Sequence, residues 1–152
     1  MISFVSSLSA NFTPKRFIVA VSDKNSSSKV SLQKDDSIQS VPRCREVNQS
    51  TIKSLFHFIY SIPFSFYATL SFMPNLILVN GPGTCIPICL AGLVQQILIC
   101  KTKIVFVESV CRTRSLSMTG KILYYCPFVK VIVQWPDLQK LYPRTEYIGL
   151  LS

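Results

Sequence analysis

The chain has 152 residues, 49% of them hydrophobic, and 16 Lys/Arg against 7 Asp/Glu give it a formal net charge of +9. This excludes an intrinsically disordered chain, which needs low hydrophobicity. It also leaves too little sequence for two nucleotide-fold halves, which together need roughly 300 residues. A chain both basic and apolar suits an anionic membrane surface or a phosphorylated ligand. Nucleic acid ranks below these, because the basic residues are not interleaved with aromatics in any known module pattern.

At the start, MISFVSSLSANFTPKR places its positive charge after a short, serine-rich apolar part, so no secretory signal is read there. The six cysteines are then expected to stay reduced. They show no CxxC pair, and neither a metal site nor a cofactor is expected. Residues 17–21 (FIVAV) read as a buried strand. Residues 22–40, rich in serine and without an aromatic, read as a mobile polar loop. Residues 41–50 (VPRCREVNQS) are basic and lead into a stretch, from Ser54 to Cys100, that contains no Asp, Glu, Lys or Arg. Such a stretch is buried in protein, in lipid, or in both.

Within it, residues 55–73 (LFHFIYSIPFSFYATLSFM) read as an aromatic helix near the length of about 20 residues that a bilayer requires. Its serines, His57 and Pro63 favour a helix packed on a sheet with one aromatic face at the lipid interface, with a spanning helix as the alternative. Pro74 stops it. Residues 76–79 (LILV), 103–107 (KIVFV) and 129–134 (VKVIVQ) read as further strands. Residues 85–99, 116–125 and 137–142 read as helices, and 147–151 as an apolar tail. Strands alternating with helices, and apolar on both faces, predict an open parallel α/β sheet of Rossmann-like type forming a single domain.

In such a sheet ligands bind beyond the carboxyl ends of the strands. Asn80-Gly81-Pro82-Gly83-Thr84 lies there, ahead of a helix N-terminus, and suits a phosphate; an ordinary strand-to-helix turn is the alternative. Glu108, at the end of KIVFV, could act as a base or hold a hydroxyl. A salt bridge to Arg112 or Arg114 is the plainer expectation for it. Arg112 and Arg114 could equally grip a diphosphate through their guanidinium forks. Ser117 reads as a helix N-cap ahead of Met118-Thr119-Gly120-Lys121, which is not a Walker loop. His57, the single histidine, is expected to have no catalytic role, and no hydrolase motif is present.

Taken together, PNLILVNGPGTCIPIC (residues 74–89), KIVFVESVCR (103–112), LSMTGKILYY (116–125) and VIVQWPDLQKLYP (131–143) closely resemble the membrane-anchoring subunit of the UDP-N-acetylglucosamine transferase of asparagine-linked glycosylation. The likeness runs from about Phe4 to the C-terminus. It implies the N-terminal, acceptor half of a split two-domain glycosyltransferase, on the cytosolic face of the endoplasmic reticulum membrane. Such a half recruits a soluble catalytic subunit, and the pair adds the second N-acetylglucosamine to dolichyl-diphosphate-linked N-acetylglucosamine. Carried onto this sequence, the resemblance implies that Gly81, Gly83, Thr84 and Arg112 hold the acceptor diphosphate. Glu108 would stand at the acceptor sugar as the catalytic candidate. Tyr147, Ile148, Gly149, Leu150 and Leu151 would contact the partner.

The sequence departs from the family's usual pattern at its start. Members normally begin with a membrane helix, a first strand and a glycine-rich loop of the type GSGGHT, and these are not found here. The expectation is an incomplete member, with two neighbouring strands left without a partner between them. The alternative function is then a scaffold that binds the partner without supporting transfer.

Overall fold

The computed structural model describes residues 14–20, 36–42, 51–81, 83, 85–99 and 102–150. Its centre is a parallel sheet built from the most apolar runs of the sequence: β3 (Leu76–Val79), β4 (Lys103–Val107), β5 (Val129–Val133) and the short β6 (Glu146–Tyr147), in that spatial order. The registers bring Ile77, Ile104 and Val129 into one row and Val79, Phe106 and Val131 into the next. Because side chains alternate along a strand, both rows face the same layer. Parallel neighbours cannot be joined by a tight hairpin, so helical crossovers connect them: α2 (Cys85–Ile99) after β3, α3 (Met118–Tyr124) after β4 and α4 (Pro136–Leu141) after β5.

Ile88 and Cys89 of α2 and Leu123 of α3 close over the two rows to make the main core. Each side chain of this kind removed from water contributes about 1.5–3 kcal/mol. Gly92 lets α2 lie close to the sheet, since a Cβ there would collide with Cδ1 of Ile77. A second, smaller core of Leu116, Val133 and Leu138 is flanked by Tyr124, Trp135 and Tyr142 and anchors α4. The fold is thus α/β and Rossmann-like, as the strand and helix pattern predicts.

Two parts differ from the sequence expectation. First, the strands form two sheets, not one: β1 (Arg16–Ala20) pairs in parallel with β2 (Ser37–Val41) in a separate ribbon. Ile18 packs this ribbon against the main core. Among the described residues β1 has no ladder partner besides β2, and β3 has none besides β4. Second, Ser37–Ser40, expected at the end of a mobile loop, belong to β2. Residues 22–35 lie outside the described residues.

The reason β2 escapes a hydrophobicity reading is physical. Ser37 and Gln39 are half-buried while Ile38 is exposed, so the apolar alternation is reversed. The inward polar groups are used by Arg16, whose Nε donates to Ser37 Oγ (3.3 Å) and Nη1 to Gln39 Oε1 (3.3 Å).

The aromatic helix α1 runs Thr51–Leu70, starting earlier than expected and ending before Pro74. It has no basic residue in its last turn. Arg16 supplies that charge from β1, with Nη1 on Ala68 O (3.1 Å) and Ser71 Oγ (2.7 Å) and the guanidinium 4.6 Å over the Phe72 ring. Pro63 sits within the helix on an exposed position. α1 packs along α2 and touches β2. Among the described residues no helix is long and apolar enough to cross a membrane.

Candidate functional site

Three loops follow the carboxyl ends of β3, β4 and β5, the edge at which an open parallel sheet receives its ligands. The first begins at Asn80. Gly81 has φ 142°, a conformation that favours glycine, and a Cβ there would meet Cys85 Sγ at 3.8 Å. Gly83 differs: its φ is ordinary and a Cβ would meet nothing within 4 Å. The position opens onto space, so packing does not require glycine there. Its carbonyl accepts from Ile86 N (3.1 Å) as α2 begins. Thr84, the remaining expected diphosphate contact, lies outside the described residues.

α2 has 15 residues and no acidic side chain in its first turn, so the positive end of its dipole is not neutralised from within the helix. Pro87 stands in that first turn, where no intrahelical N–H bond is lost.

The second loop begins at Glu108, whose side chain is 2% exposed. Its carboxylate does not pair with Arg112 or Arg114, contrary to the plainer sequence expectation. Oε1 accepts from Ser109 N (3.0 Å), and Oε2 accepts from both Ser117 N (2.8 Å) and Ser117 Oγ (3.0 Å). Ser117 is the N-cap of α3, as expected, and its Oγ also accepts from Gly120 N (3.0 Å). Gly120 is pressed onto this arrangement, since a Cβ there would collide with Glu108 Oε2. The main chain is fixed as well: Glu108 N donates to Ile132 O (2.9 Å), and Glu108 O accepts from Gln134 Nε2 (2.8 Å).

Beyond Glu108 the loop turns outward. Arg112 N donates to Ser109 O (3.0 Å), closing a turn, and Trp135 Nε1 donates to Val110 O (2.7 Å) from the third loop. Arg112 and Arg114 are exposed, and among the described residues no ion pair or hydrogen bond engages either guanidinium. Two cations held out from an anchored loop can receive an anion. Gln134 and Trp135 belong to the family-like VIVQWP run but are not among the sequence-predicted site residues. The signal that could have found them is their place as the first residues past β5, within that run.

The expected partner segment leaves the sheet at this same carboxyl edge, after the short strand β6. β6 pairs with β5 through Ile132↔Glu146 and Val133↔Tyr147, and Lys130 Nζ meets Glu146 Oε2 at 2.8 Å. Tyr147, Ile148 and Leu150 are exposed, Gly149 has φ 82°, and Leu151 lies outside the described residues. An apolar segment presented on an edge strand is a surface that a second polypeptide can cover.

Comparison with known proteins gives concordant matches. The family described as oligosaccharide biosynthesis protein Alg14 like matches residues 1–151. The UDP-N-acetylglucosamine transferase subunit ALG14 of Rattus norvegicus is 42% identical over 163 residues, covering 98% of this chain and 75% of that protein. Its namesake of Homo sapiens is 39% identical over the same shares. That of Schizosaccharomyces pombe is 42% identical over 93% of this chain and 71% of its own length. No solved structure matches the chain.

Proposed function

Because the chain belongs to the Alg14-like oligosaccharide biosynthesis family, we propose that it is the acceptor-side subunit of a UDP-N-acetylglucosamine transferase. In this reading it works at the cytosolic face of the endoplasmic reticulum membrane, where it recruits a soluble catalytic subunit. The pair adds the second N-acetylglucosamine to dolichyl-diphosphate-linked N-acetylglucosamine. The observation that carries the reading is identity of about two residues in five, over nearly the whole chain, to proteins named as subunits of that transferase.

The geometry supplies a role for each part. The α2 N-terminus, approached across Gly81 and Gly83, takes the acceptor diphosphate, with Arg112 as a second cationic contact. The exposed segment 147–150 takes the partner, which brings the sugar nucleotide. Neither chain then needs to hold both substrates.

Support for a lipid-facing position comes from the reversed polarity of α1. Ser61, Ser65, Ala68 and Thr69 are buried, while Phe56, Ile59, Tyr60, Phe64, Tyr67 and Leu70 are exposed. Among the described residues Ser65 Oγ and Thr69 Oγ1 have no hydrogen-bond partner. A helix with small and polar residues inside and aromatics outside suits an apolar medium better than water. α2 also exposes large apolar side chains, Ile97 at 66% and Leu98 at 75%. Basic residues before and after this charge-free stretch would meet anionic headgroups.

The test is co-expression with the soluble subunit, supplying labelled UDP-N-acetylglucosamine and a polyprenyl-diphosphate-linked N-acetylglucosamine acceptor. Formation of the disaccharide-lipid supports the reading. Capture of the soluble subunit without transfer would leave a scaffold instead.

A further inference from the structure

The Glu108 carboxylate is almost wholly withdrawn from solvent, and each of its oxygens is occupied by donors of its own chain. A general base needs a free lone pair directed at the proton it removes. Here three of the carboxylate's roughly four lone-pair sites point at Ser109 N–H and at the N–H and O–H of Ser117, and burial withdraws the group from solvent. Those two residues frame a loop: Ser109 begins it, Ser117 ends it, and Arg112 and Arg114 lie between them. The carboxylate therefore spans the mouth of the loop and ties its two ends together. Ser117 extends the tie into α3, because the oxygen that donates to Glu108 also caps Gly120 N.

We propose that Glu108 and Ser117 form a positioning brace that holds Arg112 and Arg114 outward at the carboxyl edge for an anionic acceptor, with Glu108 itself outside the chemistry. The proposal rests on the transferase reading for the identity of that acceptor, and on the hydrogen bonds alone for the brace. Glu108→Gln is informative because an amide nitrogen cannot accept. Whichever way the amide is turned, a donor of Ser109 or of Ser117 then faces another donor. Ser117→Ala removes the hydroxyl and leaves Glu108 intact, and Ser117→Thr restores the hydroxyl.

The experiment uses the chain in complex with its soluble partner and reads both transfer kinetics and tryptic cleavage after Arg112 and Arg114. The brace predicts that Glu108→Gln and Ser117→Ala each raise the acceptor KM about tenfold, with kcat changed less than about twofold and the pH profile unmoved. Both should speed cleavage after the two arginines, and Ser117→Thr should behave as wild type. Loss of kcat in Glu108→Gln together with loss of the acidic limb, while Ser117→Ala stays silent, would make Glu108 the base and overturn the proposal. Unchanged cleavage in both variants would overturn it too. If the wild-type complex transfers no sugar, the transferase reading fails, and the cleavage comparison still decides whether the brace exists.

Discussion

Gly120 and Cys89 show how single side chains are constrained around the site. A methyl group at Gly120 collides with the Glu108 carboxylate and would sit 3.2 Å from Ser117 Oγ. Neither group can withdraw without breaking bonds that hold the loop. Gly120→Ala should cost about 1–3 kcal/mol, as overpacking does, measured as a shift in the denaturant midpoint at constant slope. Burial pushes the Cys89 thiol from 9.0 up to about 12, with the nearby Cys85 and Cys126 adding to the rise. The folded value lies above the ordinary one, so the neutral thiol's contribution to stability is full below pH 9.0 and is lost as pH rises toward about 12. At neutral pH, maleimide should modify exposed Cys111 readily and buried Cys89 only on unfolding, as peptide mapping would show. At this scale the sequence showed that Glu108 ends a strand and that Ser117 caps a helix. Their mutual bond joins residues nine positions apart through a loop of irregular course, and no local pattern encodes it.

Among the elements, α2 is legible in the sequence with its observed bounds because it is free of charge, apolar except for Gln95 and Gln96, and starts after a glycine turn. β2 was not, since its polar residues face inward to serve Arg16. β6 was missed because two residues on an edge strand carry no period. α1 was found but begins earlier than expected, at Thr51, where polar and basic residues hide the helical continuation. Its outer face gives an element-level prediction. Phe56 and Tyr67 are 70% and 71% exposed, so replacing both with Asp should leave the unfolding transition within about 0.5 kcal/mol of wild type. The same pair of changes should abolish co-sedimentation with vesicles of phosphatidylcholine and an anionic phospholipid, because aspartate cannot enter the interface. Undiminished vesicle binding would show that this face does not rest on lipid.

For the whole molecule, the legible part of the sequence was its alternation of apolar strands and helices, which specifies the parallel layer β3–β4–β5 and therefore which loops share the carboxyl edge. The division into a two-stranded ribbon and a four-stranded sheet could not be read, because strand neighbours are set by long-range pairing and not by local composition. The same limit applies to the site. The sequence pattern places Gly81, Gly83, Glu108 and Arg112 on one edge by topology, and only the folded backbone separates the glycine that its φ demands from the one that opens onto space. Gly83 is consequently a clean probe. Gly83→Val adds a side chain whose Cβ meets nothing within 4 Å, next to the proposed diphosphate position. The decisive measurement is the acceptor KM of Gly83→Val in complex with the soluble subunit. A diphosphate held at the head of α2 predicts a rise of at least about tenfold, with partner capture and thermal stability unchanged. A KM equal to that of wild type would contradict it.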